Sequence, residues 1–320
     1  MKKGFTLIEL IMVIAILGII STLAVSRIGN IRERTQRQVS LTNQTLIGKA
    51  VESYMTINGN AGIDRLDSLI DQEVARGDAN GFDVDGSSLV AQGAGFYFGP
   101  DDLGYPLPQS ASDRNSGLTP TMVNQVLIPY SLNEKEVKTL SNFGVRFVMR
   151  HTTRALESPR SAYGERGEDG AYLSDSEDIG YKPNESACIA TMITNGMFCA
   201  AVSPFTPMGR EIYRDCGQLL LATKETASEY KSDRANVLAE VKATGGALLA
   251  FGLGNEATII GSANAGLESA PYATYPLKKF YTRYILLFRV NTSTQSGRVE
   301  FAGVIDPCGN TIRMARNYID

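Results

Sequence analysis

The sequence opens at residues 1–25 with MKKGFTLIELIMVIAILGIISTLAV. The 21 residues from Phe5 to Val25 carry a single charged side chain, Glu9. A helix of this length, at about 1.5 Å per residue, spans roughly 30 Å, which is the thickness of one bilayer core. The run therefore predicts a membrane-spanning helix that carries one carboxylate within its apolar part.

The apolar run continues into an amphipathic stretch without a helix-breaking residue. Apolar residues such as Ile47, Val51, Tyr54 and Met55 recur at helical spacing, after four arginines at positions 27, 32, 34 and 37. The first strong stop signal is Asn58-Gly59-Asn60. We therefore predict one continuous helix over residues 5–57, with its first half in lipid and its second half amphipathic.

Two simpler interpretations compete for this N-terminus. One is a secretory signal peptide with Ala24-Val25-Ser26 as its cleavage site, and the other is an ordinary single-pass anchor. Glu9 argues against both, because a charge deep in an apolar span costs about 2.5–3.5 kcal/mol and neither kind of segment gains from it.

Residues 3–20 resemble, almost position for position, the N-terminal signature of type IV prepilins and type II secretion pseudopilins. The resemblance implies that a prepilin peptidase removes residues 1–4 as a leader peptide, cutting between Gly4 and Phe5 and methylating the new Phe5 amine. It also implies that Glu9 pairs with the N-terminal amine of a neighbouring subunit during filament assembly. A buried carboxylate and a buried ammonium are each costly alone, so such a pair would set the axial register.

The same resemblance implies a location and a set of partners. The chain is expected in the bacterial inner membrane, with a single span and an extracytoplasmic (periplasmic) globular domain. Its partners would be filament subunits of the same or related chains, the prepilin peptidase and an inner-membrane assembly platform. The positive-inside rule opposes this orientation, because only Lys2 and Lys3 precede the span and four arginines follow it. We follow the motif, which is far more specific than a short charge count.

Residues 58–320 are expected to form the exported domain. Dense β-branched and aromatic residues predict strands at 145–149, 247–253, 281–290 and 298–305, and a further short strand at 311–314. This order predicts an α+β fold in which the long N-terminal helix packs on a C-terminal antiparallel sheet, as in pilins. The length of the chain leaves a large inserted region at about residues 75–240.

Two helices are predicted within the exported domain. Apolar residues from Ile63 to Val74 have the spacing of a short amphipathic helix. The stretch from Ser131 to Glu134 has the pattern of a capping box, with Gly144 as the helix stop.

The stretch Asp306-Pro307-Cys308-Gly309-Asn310 predicts a tight turn. It is similar to a turn in the major pseudopilins of type II secretion, where tryptophan usually stands in place of Cys308. This similarity favours a pseudopilin over a pilus subunit.

Because those pseudopilins bind calcium nearby, Asp306 and Asn310 are candidate calcium ligands. A second candidate loop resembles an EF-hand without its closing glutamate, and it contains Asp78, Asn80, Asp83 and Asp85. No cofactor is required, and calcium is the candidate ion.

Four cysteines, an even number in an exported domain, predict two disulfides, with buried free thiols as the alternative. They are Cys188, Cys199, Cys216 and Cys308, which allow three pairings. Asn195-Gly196 predicts a hairpin turn that would place Met192, not Cys188, opposite Cys199. A Cys188–Cys199 bridge is therefore disfavoured, and a long-range bridge to Cys308 would pin the C-terminal turn.

Composition excludes several other functions. A net charge of −3 over 320 residues gives no basic surface for non-specific nucleic-acid binding. The single histidine, His151, excludes a histidine-rich zinc site, and the sequence lacks the common hydrolase, Walker and zincin motifs. We expect a filament subunit without enzymatic activity. One alternative is a minor or tip pilin, or a type IV pilus subunit, whose insertion binds a ligand, a surface or a secreted substrate. Another alternative is a membrane-anchored binding protein that never polymerises.

Overall fold

The computed structural model describes residues 7–59, 61–70, 121–151, 188–220, 234–273, 283–293 and 297–317. The helices are α1 (Leu7–Ile57), α2 (Glu134–Phe143), α3 (Pro207–Asp215), α4 (Arg234–Ala243) and α5 (Ile312–Asn317), and Met122–Val126 forms a π-helical turn. The strands are β1 (Leu66–Asp67), β2 (Leu127–Ser131), β3 (Phe147–His151), β4 (Cys188–Met192), β5 (Phe198–Val202), β6 (Ala247–Gly252), β7 (Ile285–Asn291) and β8 (Arg298–Ile305).

The eight described strands form one branched, mixed sheet. On one edge, β6 pairs with β7, and β7 pairs with β8. On its other edge β6 pairs with both β5, which continues to β2, and β1, which continues to β3 and β4. All pairings are antiparallel except that of β1 with β3. A mixed sheet with accompanying helices agrees with the predicted α+β class.

The predicted strands at 247–253, 281–290 and 298–305 are confirmed as β6, β7 and β8. Every residue of β6 is buried, which explains its continuous apolar run. On one face of these strands Phe288 lies within 6.2 Å, centroid to centroid, of the rings of Phe143, Phe251 and Phe301. This aromatic cluster packs α2 against the sheet.

The predicted helix at 63–74 is wrong. Its apolar residues Ile63, Leu66, Leu69 and Ile70 are all buried, but they lie in a non-helical segment that includes β1. Burial on both sides of an extended segment produces apolar residues without a period of two, and the spacing then imitates a helix. Val74 lies outside the described residues.

The predicted strand at 311–314 is also wrong, because this segment begins α5. The Thr311 hydroxyl accepts a hydrogen bond from the Met314 amide at 3.2 Å, as expected of a residue that caps a helix. The capping box of α2 is displaced by two residues from its predicted place. Asn133 and Glu136 exchange the two capping hydrogen bonds, and Gly144 ends the helix with a φ of 109°, as predicted.

The predicted hairpin between β4 and β5 is wrong, although its turn exists. Gly196 has a φ of 77° and the Met197 amide donates to the Thr194 carbonyl at 3.1 Å. The strands on either side pair elsewhere, β4 with β3 and β5 with β2 and β6. Tyr130, not Met192, therefore lies opposite Cys199. The turn carries the chain from one branch of the sheet to the other.

Part of the predicted insertion belongs to the same sheet as the C-terminal strands. Strands β2, β3, β4 and β5 all fall within residues 75–240. The boundaries of the insertion stay a prediction, and the acidic loop with Asp78, Asn80, Asp83 and Asp85 lies outside the described residues. Among the described residues no helix has both the length and the apolarity needed to cross a membrane.

Candidate functional site

The described side chains of residues 7–17, at the start of α1, form a large apolar surface. Each of these side chains is between 45% and 77% exposed to solvent. They are Leu7, Ile11, Met12, Val13, Ile14, Ile16 and Leu17. Residues 11–14 are consecutive, so at 100° per residue they cover the whole circumference of the helix. A helix that is apolar on all sides needs lipid or other protein around it.

The second half of α1 is docked on the globular domain along one stripe. Ser40, Gln44, Ile47 and Val51 follow each other at intervals of four, three and four residues, and each is at most 1% exposed. This is the spacing of one helix face. The helix contacts β8 and α5. The apolar part of the stripe was predicted from sequence, whereas the buried Ser40 and Gln44 were not.

Residues 306–310, here called the Asp306 turn, receive the polar part of this stripe. The Ser40 hydroxyl donates to Asp306 Oδ2 at 3.5 Å, and Gln44 Nε2 donates to the Asn310 carbonyl at 3.1 Å. Next to them, Asn43 Nδ2 donates to the Tyr272 carbonyl at 3.4 Å. Side chains of α1 are thus hydrogen-bonded to segments more than 220 residues away in sequence.

The buried Asp306 carboxylate organises the turn itself. Asp306 is fully buried, and its Oδ1 accepts from the backbone amides of Cys308 at 2.9 Å and Asn310 at 2.8 Å. The Asn310 side-chain amide donates to both carboxylate oxygens. Gly309 has a φ of 85°, and a Cβ there would lie 2.5 Å from Val126. The tight turn predicted from the sequence is confirmed.

Asp215, at the end of α3, holds the segment that follows the turn. Its Oδ2 accepts from the Thr311 hydroxyl at 2.5 Å, and its Oδ1 pairs with Arg313 Nε at 2.6 Å. The Asp215 side chain is only 7% exposed, so this pair is better shielded than a surface salt bridge. The Asp306 turn is therefore fixed from α1 on one side and from α3 on the other.

The described geometry of the turn does not resemble a calcium site. Calcium takes six to eight oxygen ligands. Here the amide nitrogen of Asn310, not its oxygen, faces the Asp306 carboxylate. The described residues contain no group of three or more acidic, cysteine or histidine side chains that would hold a metal. Calcium binding at Asp306 and Asn310 stays a prediction.

Three of the four cysteines are described, and all three are free thiols: Cys199, Cys216 and Cys308. The expected pair of disulfides, including the bridge to Cys308, is therefore not formed in this structure. Cys199 lies on β5, Cys216 follows α3 and Cys308 lies in the Asp306 turn. Burial is the main reason that the pKa of each thiol is raised to about 12. They are protonated at neutral pH and are poor nucleophiles. The side chain of Cys188 lies outside the described residues.

The residues with predicted roles in processing and in filament register are not among those whose side chains the structure describes. Gly4 and Phe5 lie outside the described residues, as do the side chains of Glu9 and His151. Their predicted roles rest on the sequence.

Comparison with known protein families identifies a motif at the N-terminal end of the chain. Residues 1–25 match the family model of the prokaryotic N-terminal methylation motif. The chain carries the type IV prepilin signature. This signature is typical of membrane-anchored, pilin-like subunits that are processed by a prepilin peptidase and assemble into filaments. No curated protein and no solved structure matches the chain in the same comparisons.

Proposed function

We propose that the chain is a structural subunit of a type IV pilin-like filament, and specifically a pseudopilin of a type II secretion-type machine, without catalytic activity. The observation that carries the proposal is the contrast between the two halves of α1. The described side chains of residues 7–17 are apolar and exposed on all sides of the helix, and the second half of the helix is docked on the sheet. A helix of this kind has a free surface for lipid or for neighbouring subunits and a fixed connection to the domain it carries.

The free half of α1 supplies enough apolar surface to drive association. Burial of one large aliphatic side chain contributes about 1.5–3 kcal/mol, so the seven exposed side chains together represent on the order of 10 kcal/mol. In the membrane lipid covers this surface, and in a filament the α1 helices of neighbouring subunits cover it. Glu9 then pairs with the methylated Phe5 amine of a neighbour and sets the register.

The pseudopilin assignment is supported by the Asp306 turn. The turn follows β8 near the C-terminus, and its sequence is similar to that of a turn near the C-terminus of major pseudopilins. In this chain hydrogen bonds from Ser40, Asn310 and two backbone amides satisfy its carboxylate.

Processing is tested by intact-mass spectrometry of the protein purified from its native membrane. The expected mass lacks residues 1–4 and carries one additional methyl group. A chain that begins at Met1, or near Ser26, would contradict prepilin processing.

Assembly is tested by replacing Glu9 with alanine, with Glu52→Ala as the matched control. Glu52 lies on the same helix and is exposed in its docked half. We expect Glu9→Ala to abolish filaments in negative-stain micrographs while Glu52→Ala leaves them unchanged. Filaments of normal number from Glu9→Ala would contradict the register role.

Deletion of the gene for this chain in its host should stop protein secretion and leave surface pili intact. Loss of surface pili with normal secretion would instead assign the chain to a pilus. Abundance along the filament distinguishes a structural subunit from a rare tip subunit.

A further inference from the structure

A cavity of about 230 Å³ lies at the end of the sheet where β5 ends and β6 begins. Its walls are mainly aliphatic and include Ile128, Val202, Val241 and Val290 from four different elements. Ala201 and Ala247, which have small side chains, also line it. An apolar cavity of roughly 150 Å³ already binds benzene in a protein core, so this cavity can hold one compact ring or a branched aliphatic group.

The buried side of the cavity carries hydrogen-bond acceptors. Glu136 lines it and is only 4% exposed. Its carboxylate accepts from the Tyr130 hydroxyl at 2.5 Å and from the Asn133 amide at 3.0 Å. Both oxygens are thereby held in place, and each retains lone-pair capacity for a further donor. Because the Tyr130 proton is already committed to Glu136, this side of the cavity attracts a ligand donor, not a ligand acceptor.

The open side of the cavity carries the opposite polarity. Lys242, in the last turn of α4, is exposed and lines the cavity together with Thr292 and Ser293. The Thr292 carbonyl accepts a hydrogen bond from Lys135 Nζ, which brings a second ammonium close to the mouth. The amide and hydroxyl of Ser293 donate to Asn291 Oδ1 and hold the rim in one conformation. An anionic group at the mouth meets this positive charge.

We propose that this cavity binds a small organic acid with a compact apolar body, a hydroxyl or amine donor at its inner end and a carboxylate at its outer end. The donor binds Glu136, the body fills the aliphatic space and the carboxylate pairs with Lys242. Such a site is separate from α1 and does not depend on the filament role. It would give the exported domain a ligand-binding activity in addition to assembly.

The test uses the full chain in detergent micelles and 4-hydroxybenzoate as the probe. Isothermal titration is expected to show one saturable site. Benzoate lacks the inner donor and 4-hydroxybenzamide lacks the outer charge, so each should bind about 10-fold more weakly.

The matched variants are Lys242→Gln and Lys138→Gln, both at exposed positions on helices, and Lys138 does not line the cavity. Lys242→Gln should weaken 4-hydroxybenzoate by about 10-fold and leave 4-hydroxybenzamide unchanged. Lys138→Gln should change neither. The proposal is overturned if none of the three probes binds saturably, or if the two variants affect 4-hydroxybenzoate equally. Circular dichroism of both variants verifies that they are folded.

Discussion

Replacement of Asp306 by alanine tests the central contact of the docking site. The fully buried Asp306 carboxylate accepts hydrogen bonds from the amides of Cys308 and Asn310, from the Asn310 side chain and from Ser40. Alanine leaves these donors without their acceptor around a fully buried position. We therefore expect the turn to lose its conformation and the docked half of α1 to lose its polar contacts.

The size of the effect follows from the number of donors left unpaired. A buried donor without a partner costs about 1–3 kcal/mol, and two backbone amides lose their acceptor. We expect Asp306→Ala to lower the free energy of unfolding by about 3–5 kcal/mol. Asp306→Asn retains one oxygen for both amides but turns an amide nitrogen towards donors, so it should cost about 1–2 kcal/mol. Ser40→Ala removes only a 3.5 Å hydrogen bond and should cost less than about 1 kcal/mol.

Urea unfolding in detergent, followed by tyrosine fluorescence, measures all three variants, because the chain has 14 tyrosines and no tryptophan. Hydrogen exchange at the Cys308 and Asn310 amides gives a local measurement and should accelerate most in Asp306→Ala. The reasoning is refuted if Asp306→Ala is no less stable than Ser40→Ala, or if the two amides keep their protection.

Three further predictions concern the backbone and the buried Cys199 thiol. Arg65→Gly should raise the free energy of unfolding by about 0.5–1 kcal/mol in urea titrations, because the φ of 57° at Arg65 is strained for any residue but glycine. A lower free energy of unfolding in this variant would contradict the strain. Gly246→Ala should lower the free energy of unfolding by more than about 3 kcal/mol or prevent folding, because its Cβ would lie 2.0 Å from the Val290 carbonyl oxygen. Gly48→Ala is the matched control, because a Cβ on this residue of α1 meets open space, and it should raise the free energy of unfolding by about 0.5–1 kcal/mol in the same assay. Stability should fall as the pH rises from about 9 towards 12, because burial raises the pKa of the Cys199 thiol from its ordinary value of 9.0 to about 12. The folded state then holds a proton that the unfolded state releases. Cys199→Ala should flatten the pH profile of stability, and an equal slope in both proteins would contradict this origin.

The parts of the fold that were predictable are those in which local sequence and burial agree. Strands β6, β7 and β8 consist of dense branched and aromatic residues, and they lie at the predicted positions. The failures have a common origin in long-range contacts. Residues 63–70 are not helical because β1 pairs with β3 and β6, partners about 80 and 185 residues away. The segments flanking Asn195-Gly196 pair with distant strands although their turn alone favours a hairpin.

The same reason accounts for what was missed at the docking site. The Asp306 turn was predictable because proline and glycine fix its backbone locally. Ser40 and Gln44, in contrast, are polar residues on a helix, and such residues are ordinarily solvated. They are buried here because Asp306 and Asn310, which lie 266 residues away from them, supply their partners. Their one local signal is their spacing, which continues the apolar stripe of Ile47 and Val51 towards the N-terminal end of α1.

This polar end of the stripe has a consequence for assembly. Aliphatic contacts such as those of Ile47 and Val51 tolerate a shift of the helix along the sheet, whereas the hydrogen bonds of Ser40 and Gln44 do not. A shift by one turn would bury both side chains without partners, at a cost of about 1–3 kcal/mol each. The polar contacts therefore hold α1 and the domain in one relative register. A helical filament requires every subunit to present its domain in the same position relative to its assembly helix. In the proposed filament Glu9 would set the register between subunits, and the Asp306 turn would set it within each one.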